Sequence, residues 1–405
     1  MWKVNAKPYK IAVEDAVLTD LKSRLALTRW PTAPQGHPWR LGTALPYMKQ
    51  VIEYWRDEYD WRKSESTLNS FNNYTALVDN LEIHFIVEPG SGDHPRPLIM
   101  THGWPGSIVE FLDVIMPLAH PERFGGDVSD AFTVIVPSIP GFGFSGAPSA
   151  PITPRDVAGM WSKLMTEVLG FDQYFAQGGD FGSIISSWLA YDFPAQLIAL
   201  HLNLVAFDPL PTTGAAPDAE RSWVEASRIR RDPEAGYRTQ QGTKPLTLSY
   251  GLTDSPAGLA AWILEKFHGW TVPGEDRPPP FNLDHLLANI MLYWLPGPGA
   301  ASWMYVSLIE TNARRLPQGH RVEVPTGFLL CPRDVSVPPP DSLINRSYNM
   351  VKRTDAPGGG HFVALEQPVL FTHEVRSFFK PYRAVLENRP GASGNLAIAA
   401  AAHPV

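Results

Sequence analysis

The stretch GGDFGSI, residues 178–184, frames an aspartate with glycines where a short apolar run gives way to a helical one. A G-x-S-x-G frame in such a place marks a tight strand-to-helix turn that lifts a serine nucleophile above the end of its strand. Here the central residue is Asp180. A carboxylate, with an ordinary pKa of about 3.9, is already charged at neutral pH and needs no base before it attacks. It can open a bond at saturated carbon and leave an alkyl ester on the enzyme. The bland alternative is a polar turn residue that tolerates unusual backbone angles.

Three further groups in the chain bear on that choice. His102-Gly103-Trp104-Pro105-Gly106 follows the run RPLIMT, Asp334 follows TGFLLCPR, and His361 stands in GGGHF after a further run. The order nucleophile, acid, histidine is that of α/β-hydrolases, and it makes Asp180, Asp334 and His361 candidate catalytic residues. Asp341 and Asp355 lie near Asp334 and compete with it; Asp334 is preferred because it directly follows an apolar strand. His102 is expected to shape its loop, and Cys331 to be a core residue.

Those residues need a sheet to hold them. From Leu81, short β-rich runs (LEIHFIVEP, RPLIMTHG, FTVIVPSIPG, YFAQGG, LIALHLNLV) alternate with helical ones (SIVEFLDVIMPLA, RDVAGMWSKLMTEVLG, SIISSWLAYDF). This alternation predicts an α/β fold: a mostly parallel sheet with helices on both faces, and ligands beyond the carboxyl ends of its strands. Residues 1–80 read as an N-terminal helical lasso packed on a larger domain. Residues 81–207 and 320–385 read as the two parts of the α/β-hydrolase core, 208–319 as an inserted helical lid, and 386–405 as a weakly ordered tail.

Composition narrows the function classes. With 405 residues, 44% of them hydrophobic, the chain can bury a large core. A net charge of -7 leaves no basic stripe for phosphates, so small molecules are expected as partners and nucleic acid is not. The single cysteine fits a reducing, cytoplasmic setting. No run has the length of a membrane span or the form of a signal peptide. The histidines lack H-E-x-x-H spacing and no G-x-G-x-x-G opens the first sheet unit, so neither a metal nor a dinucleotide cofactor is expected.

The passages YDWRKSESTLNSFNNY, HGWPGS, PGFGFS at 140–145, GGDFGS and GGHFVALEQP together resemble the epoxide hydrolases, in the microsomal-type branch with soluble bacterial and fungal members. The resemblance covers nearly the whole chain, and the first passage is its most branch-specific part. Where microsomal relatives carry a membrane anchor before that passage, this chain is expected to start at the soluble part. The resemblance implies conversion of an apolar epoxide and water to a vicinal diol, through an ester on Asp180 that water activated by His361 and Asp334 hydrolyses. It implies two lid tyrosines that protonate the epoxide oxygen, matching Tyr237 and Tyr305 here, with Tyr250 and Tyr293 as local competitors. Backbone N–H groups of Trp104 and Phe181 would hold the oxyanion, the Trp104–Pro105 bond would be cis, and a homodimer follows by analogy alone.

A haloalkane or haloacid dehalogenase would use the same aspartate and histidine, but its halide needs indole or amide donors and no proton. Haloalkane dehalogenases commonly carry Trp directly after the nucleophile, where this chain has Phe181. A non-catalytic ligand-binding protein would be expected to lack a member of the triad. Trp223, Trp262, Trp270, Trp294 and Trp303 suggest an apolar pocket, with many of them serving as lid core.

Overall fold

The computed structural model describes residues 6–33, 36, 39–208, 217–271 and 277–386. Nine strands form one sheet in the order β1-β2-β3-β5-β4-β6-β7-β8-β9. They are β1 (Ala6–Pro8), β2 (Asn73–Val78), β3 (Leu81–Glu88), β4 (Arg96–Thr101), β5 (Phe132–Pro137), β6 (Tyr174–Gly178), β7 (Leu197–Leu202), β8 (Val322–Leu330) and β9 (Tyr348–Asp355). β1, β2, β3 and β5 pair antiparallel, and every pairing from β5 through β4 to β9 is parallel. This is the α/β-hydrolase fold.

The central strands read as unbroken apolar runs because both of their faces are covered. FTVIVP of β5 and YFAQG of β6 are buried at every position, as expected of parallel strands between two helical layers. The chain order reverses at β4, which has β5 on one side and β6 on the other, so a crevice opens beyond its carboxyl end. The loops after β4 and β6 meet there. β8 and β9 bring their own loops to the same end of the sheet.

The sheet begins earlier than the sequence pattern suggests. β1 and β2 lie in the passage expected to be helical, and β2 pairs with β3 over its whole length. NYTALV is too short and too weakly β-branched to announce itself; its partner strand decides the conformation. The N-terminal helices Asp15–Ala26 and Leu45–Asp57 are present, and a further helix, Trp61–Asn69, is capped by Asp60, whose side chain accepts from Arg62 N.

Between β7 and β8 the described residues form helices Asp218–Arg231, Ala235–Thr243, Pro245–Asp254, Pro256–Gly269, Leu283–Trp294 and Trp303–Glu310. The N-terminal region ties into these helices through Thr43 Oγ1 to Ala261 O (2.7 Å), Tyr54 OH to Asp284 Oδ1 (2.8 Å) and the Trp39 ring stacked on His268 at 3.7 Å. Arg314 joins the two roots of the insertion, donating from Nε to Ala206 O (3.0 Å) and lying 3.3 Å from Asp208. Among the described residues no helix is long and apolar enough to cross a membrane. Apart from Leu386, the expected tail falls outside the described residues.

Candidate active site

Asp180 caps the helix Phe181–Asp192 with φ 48° and ψ −124°. Such a backbone costs a non-glycine residue about 1–3 kcal/mol, and it persists only where the surroundings enforce it. They do so by close packing. A Cβ at Gly182 would collide with the Thr101 carbonyl at the end of β4, and one at Gly103 would collide with the Asp180 carboxylate itself. The first turn of the helix therefore sits directly on β4, and glycine at these two positions lets the aspartate and the loop after β4 touch.

That contact organises the carboxylate. Trp104 N donates to Asp180 Oδ1 at 2.9 Å, and the Trp104–Pro105 peptide is cis. Phe181 N occupies the first helical position, where an N–H has no intrahelical acceptor. Oδ2, the other carboxylate oxygen, lies 3.3 Å from His361 Nε2. On the far side of the ring, His361 Nδ1 is 3.2 Å from Asp334 Oδ1, which also accepts from Ser336 N at 2.9 Å. The three residues thus form one line from β6 to β9 to β8. Burial acts to depress the His361 pKa, but the Asp334 and Asp180 carboxylates outweigh it and hold the ring well above its ordinary value.

The lid closes over Asp180 with aromatic rings. Tyr237 stacks on Trp104 (5.0 Å, 8°), and Tyr305 meets Phe181 edge-on (4.7 Å). Their rings lie 5.8 Å apart. Burial raises the pKa of both phenols, and the charge of Asp180 adds to the rise, so both are protonated at neutral pH. The competing tyrosines stand elsewhere: Tyr250 is exposed, and the Tyr293 hydroxyl donates to Gly106 O at 2.6 Å. The helix bearing Tyr293 also pins the same loop through Asn289, which donates to Pro105 O and accepts from Ser107 Oγ.

An open pocket reaches Asp180, Phe181, Tyr237, Tyr305 and His361. Its wall also includes Arg231, Glu234, Arg238 and Arg314, charged residues the sequence did not single out. A fifth missed residue is Glu110, whose carboxylate packs against the α-carbon of Gly106 and whose pKa burial pushes up to about 8. Its place in HGWPGSIVE, one turn beyond the loop that contacts Asp180, was the available signal. His102 is buried and bound within its loop, its Nε2 accepting from Ile139 N at 3.2 Å. Cys331 is buried, with its thiol pushed up to about 12 by burial.

The arrangement offers an anionic oxygen, a donor on its partner oxygen, a histidine oriented by a second carboxylate, and two phenols. Comparison with known proteins gives it a family. The model described as epoxide hydrolase N terminus matches residues 6–111, and that of the alpha/beta hydrolase fold matches residues 96–226. A Stigmatella aurantiaca relative is 41% identical, over 93% of this chain and 85% of that protein. Epoxide hydrolase 1 of Sus scrofa is 35% identical, over 92% of this chain and 88% of its own. The crystal structure of juvenile hormone epoxide hydrolase from the silkworm Bombyx mori superposes with a TM-score of 0.79 at 29% identity, over 95% of this chain and 96% of that one. The epoxide hydrolase of Aspergillus niger does so at 0.80 and 28%, over 94% and 97%. An aspartate on a strained strand-to-helix turn, within a fold and sequence shared this widely, has one family context: the chain belongs to the epoxide hydrolases, enzymes of the α/β-hydrolase fold.

Proposed function

We propose that this enzyme opens a largely apolar epoxide to a vicinal diol through a covalent ester on Asp180, without a cofactor. The observation that carries the reading is the asymmetry of the Asp180 carboxylate: Oδ1 is held by the Trp104 N–H, while Oδ2 faces His361 beside the cavity. Oδ2 attacks a ring carbon, the carbon–oxygen bond breaks, and the leaving oxygen takes a proton from Tyr237 or Tyr305. A phenol suits this step because it stays protonated at neutral pH until the alkoxide develops. The indole N–H groups of Trp223, Trp262 and Trp270, which a departing halide would need, are engaged with Val337 O, Gln241 and Glu234.

Ester formation consumes the negative charge of Asp180. The imidazolium thereby loses one of the two carboxylates that stabilise it, its pKa falls, and its proton passes through solvent to the tyrosinate left by ring opening. His361 then takes a proton from water, whose oxygen adds to Cγ of Asp180. Negative charge gathers on Oδ1, where Trp104 N already donates and Phe181 N is the second candidate donor. Collapse breaks the Cγ–Oδ2 bond, the leaving oxygen takes the proton from the His361 imidazolium beside it, and the diol leaves with an oxygen that began on Asp180. Asp334 keeps the ring in the tautomer that presents Nε2 to water.

In this division of labour residues 81–207 and 320–385 supply the nucleophile, the acid and the histidine, 208–319 shape the pocket and supply the two phenols, and 1–80 brace the lid. The reading takes the enzyme to be cytoplasmic, in keeping with a lone, buried Cys331. A single turnover with excess enzyme in oxygen-18 water tests the mechanism. Unlabelled diol in the first turnover, with label appearing after the enzyme recycles, is expected; labelled first-turnover diol would mean that water attacks the epoxide directly.

A further inference from the structure

The cavity that reaches Asp180 is not apolar throughout. Arg231 and Arg314 line it, and both also line an adjoining small pocket walled by Val205, Phe207, Trp223 and Val337. The two arginines therefore stand where one space meets the other. Their circumstances differ. Arg314 is occupied at the lid roots by Ala206 O and Asp208. Arg231 has no hydrogen bond or ion pair among the described residues, although its neighbours do: Arg228 pairs with Glu225 and Asp232, and Arg230 donates to Pro332 O and Asp334 O.

A guanidinium partly withdrawn from water without a partner is unfavourable. The helix Asp218–Arg231 ends in Arg228, Arg230 and Arg231, and basic residues in a last turn complement the helix dipole. That preference explains cations at the surface of the turn, but not one turned into a cavity that holds the nucleophile. Nearby anions do not cancel it. Asp208 belongs to Arg314, Asp334 is committed to His361 and Ser336, and Glu234 is held by Lys266 Nζ (2.9 Å) and Trp270 Nε1 (3.0 Å). Arg238 lines the same wall and adds a further cation. Burial and the like charges of Arg314 and Arg238 push the Arg231 pKa below its ordinary value, and the charges of Asp208 and Asp334 offset this only in part.

We propose that the natural substrate is an epoxide that also carries a carboxylate, and that Arg231 receives this carboxylate while the epoxide ring lies at Asp180. The proposal rests on the epoxide hydrolase reading above. A planar guanidinium can bind a carboxylate through two parallel N–H donors, which fixes position as well as charge. The aromatic lid wall accepts the apolar chain between the two polar ends. No covalent step changes; the carboxylate determines which epoxides are presented correctly.

The test compares ω-epoxyalkanoates of graded chain length with their methyl esters. In the native enzyme, kcat/KM for the acid should exceed that for the ester by about tenfold to a hundredfold at the best length, the range for a charge-assisted hydrogen bond. In Arg231→Leu this ratio should collapse toward one through loss of acid turnover, and Arg231→Lys should keep part of it. Esters turned over as well as acids at every length would overturn the proposal and leave the hydrolase reading standing; inactivity toward both series would overturn both. A ratio that survives in Arg231→Leu would remove Arg231 from the assignment. A second measurement needs no variant: simple alkanoates should inhibit turnover of a neutral epoxide at least about tenfold more strongly than alkanamides of equal length. Equal inhibition would also overturn the proposal.

Discussion

The strand ends and the lid wall face the same cavity but are built on different principles. At the strand ends the backbone sets position. Asp180 is held at positive φ, Gly103 and Gly182 permit contacts that a Cβ would block, and His361 is bound at its own N–H by Trp270 O at 3.1 Å. On the lid wall, side chains project from helices and are fixed by ring contacts, Tyr237 stacked on Trp104 and Tyr305 edge-on to Phe181. Groups that form and break a covalent bond sit on the rigid side. Groups that donate a proton or select a substrate sit where helices can vary without disturbing the sheet.

The sharpest way to break this comparison is to remove the nucleophile. Asp180→Ala should lower kcat by about 10⁴-fold or more, with an unchanged far-ultraviolet circular dichroism spectrum. His361→Gln should act differently, because it spares ring opening and blocks ester breakdown. Steady-state turnover should fall by about 10²- to 10⁴-fold, and intact-protein mass spectrometry should show the substrate adduct on Asp180 accumulating. An equal loss of both half-reactions would contradict the separate roles given to Asp180 and His361.

The lid wall should respond more weakly. Tyr305→Phe and Tyr237→Phe are each expected to slow alkylation by about 10²-fold, because the remaining phenol still reaches the leaving oxygen. The double variant should lose much more than either alone. Stopped-flow alkylation is the measurement, and a Tyr305→Phe enzyme that alkylates at the parental rate would remove that residue from the site.

The same contrast accounts for what was legible in the sequence. Asp180, Asp334 and His361 each follow an apolar strand, and their order along the chain matches a known arrangement, so pattern and position reinforce one another. Tyr237 and Tyr305 came from family resemblance alone. A helix offers tyrosines at many positions, and only the fold separates them from exposed Tyr250 or from Tyr293, turned onto Gly106 O. Arg231 was hidden for a related reason: in SRIRRDPE three arginines crowd one helical turn, and local sequence does not say which one faces a cavity. β2 was missed because its conformation is imposed by pairing with β3.

The smallest expected effect belongs to Glu110, which lies on the rigid side but takes no part in bonding to substrate. Burial raises its pKa from 4.5 to about 8, with the His361 charge opposing the rise and the Asp180 charge adding to it. The folded protein therefore keeps a proton that the unfolded chain releases near 4.5, so this contribution to stability is complete below that pH and is lost as pH climbs toward about 8. Glu110→Gln should remove that part of the slope, seen as a smaller fall in the urea midpoint between mildly acidic and mildly alkaline buffer. Activity offers a second readout. Once ionised, Glu110 places another negative charge near His361, stabilises the imidazolium and holds more of the ring in the protonated form, which cannot take a proton from water. Ester hydrolysis in the native enzyme should therefore slow by a few-fold above about pH 8, relative to Glu110→Gln. Superimposable alkaline limbs in single-turnover decay would show that Glu110 does not act on His361, and would confine it to packing beneath Gly106.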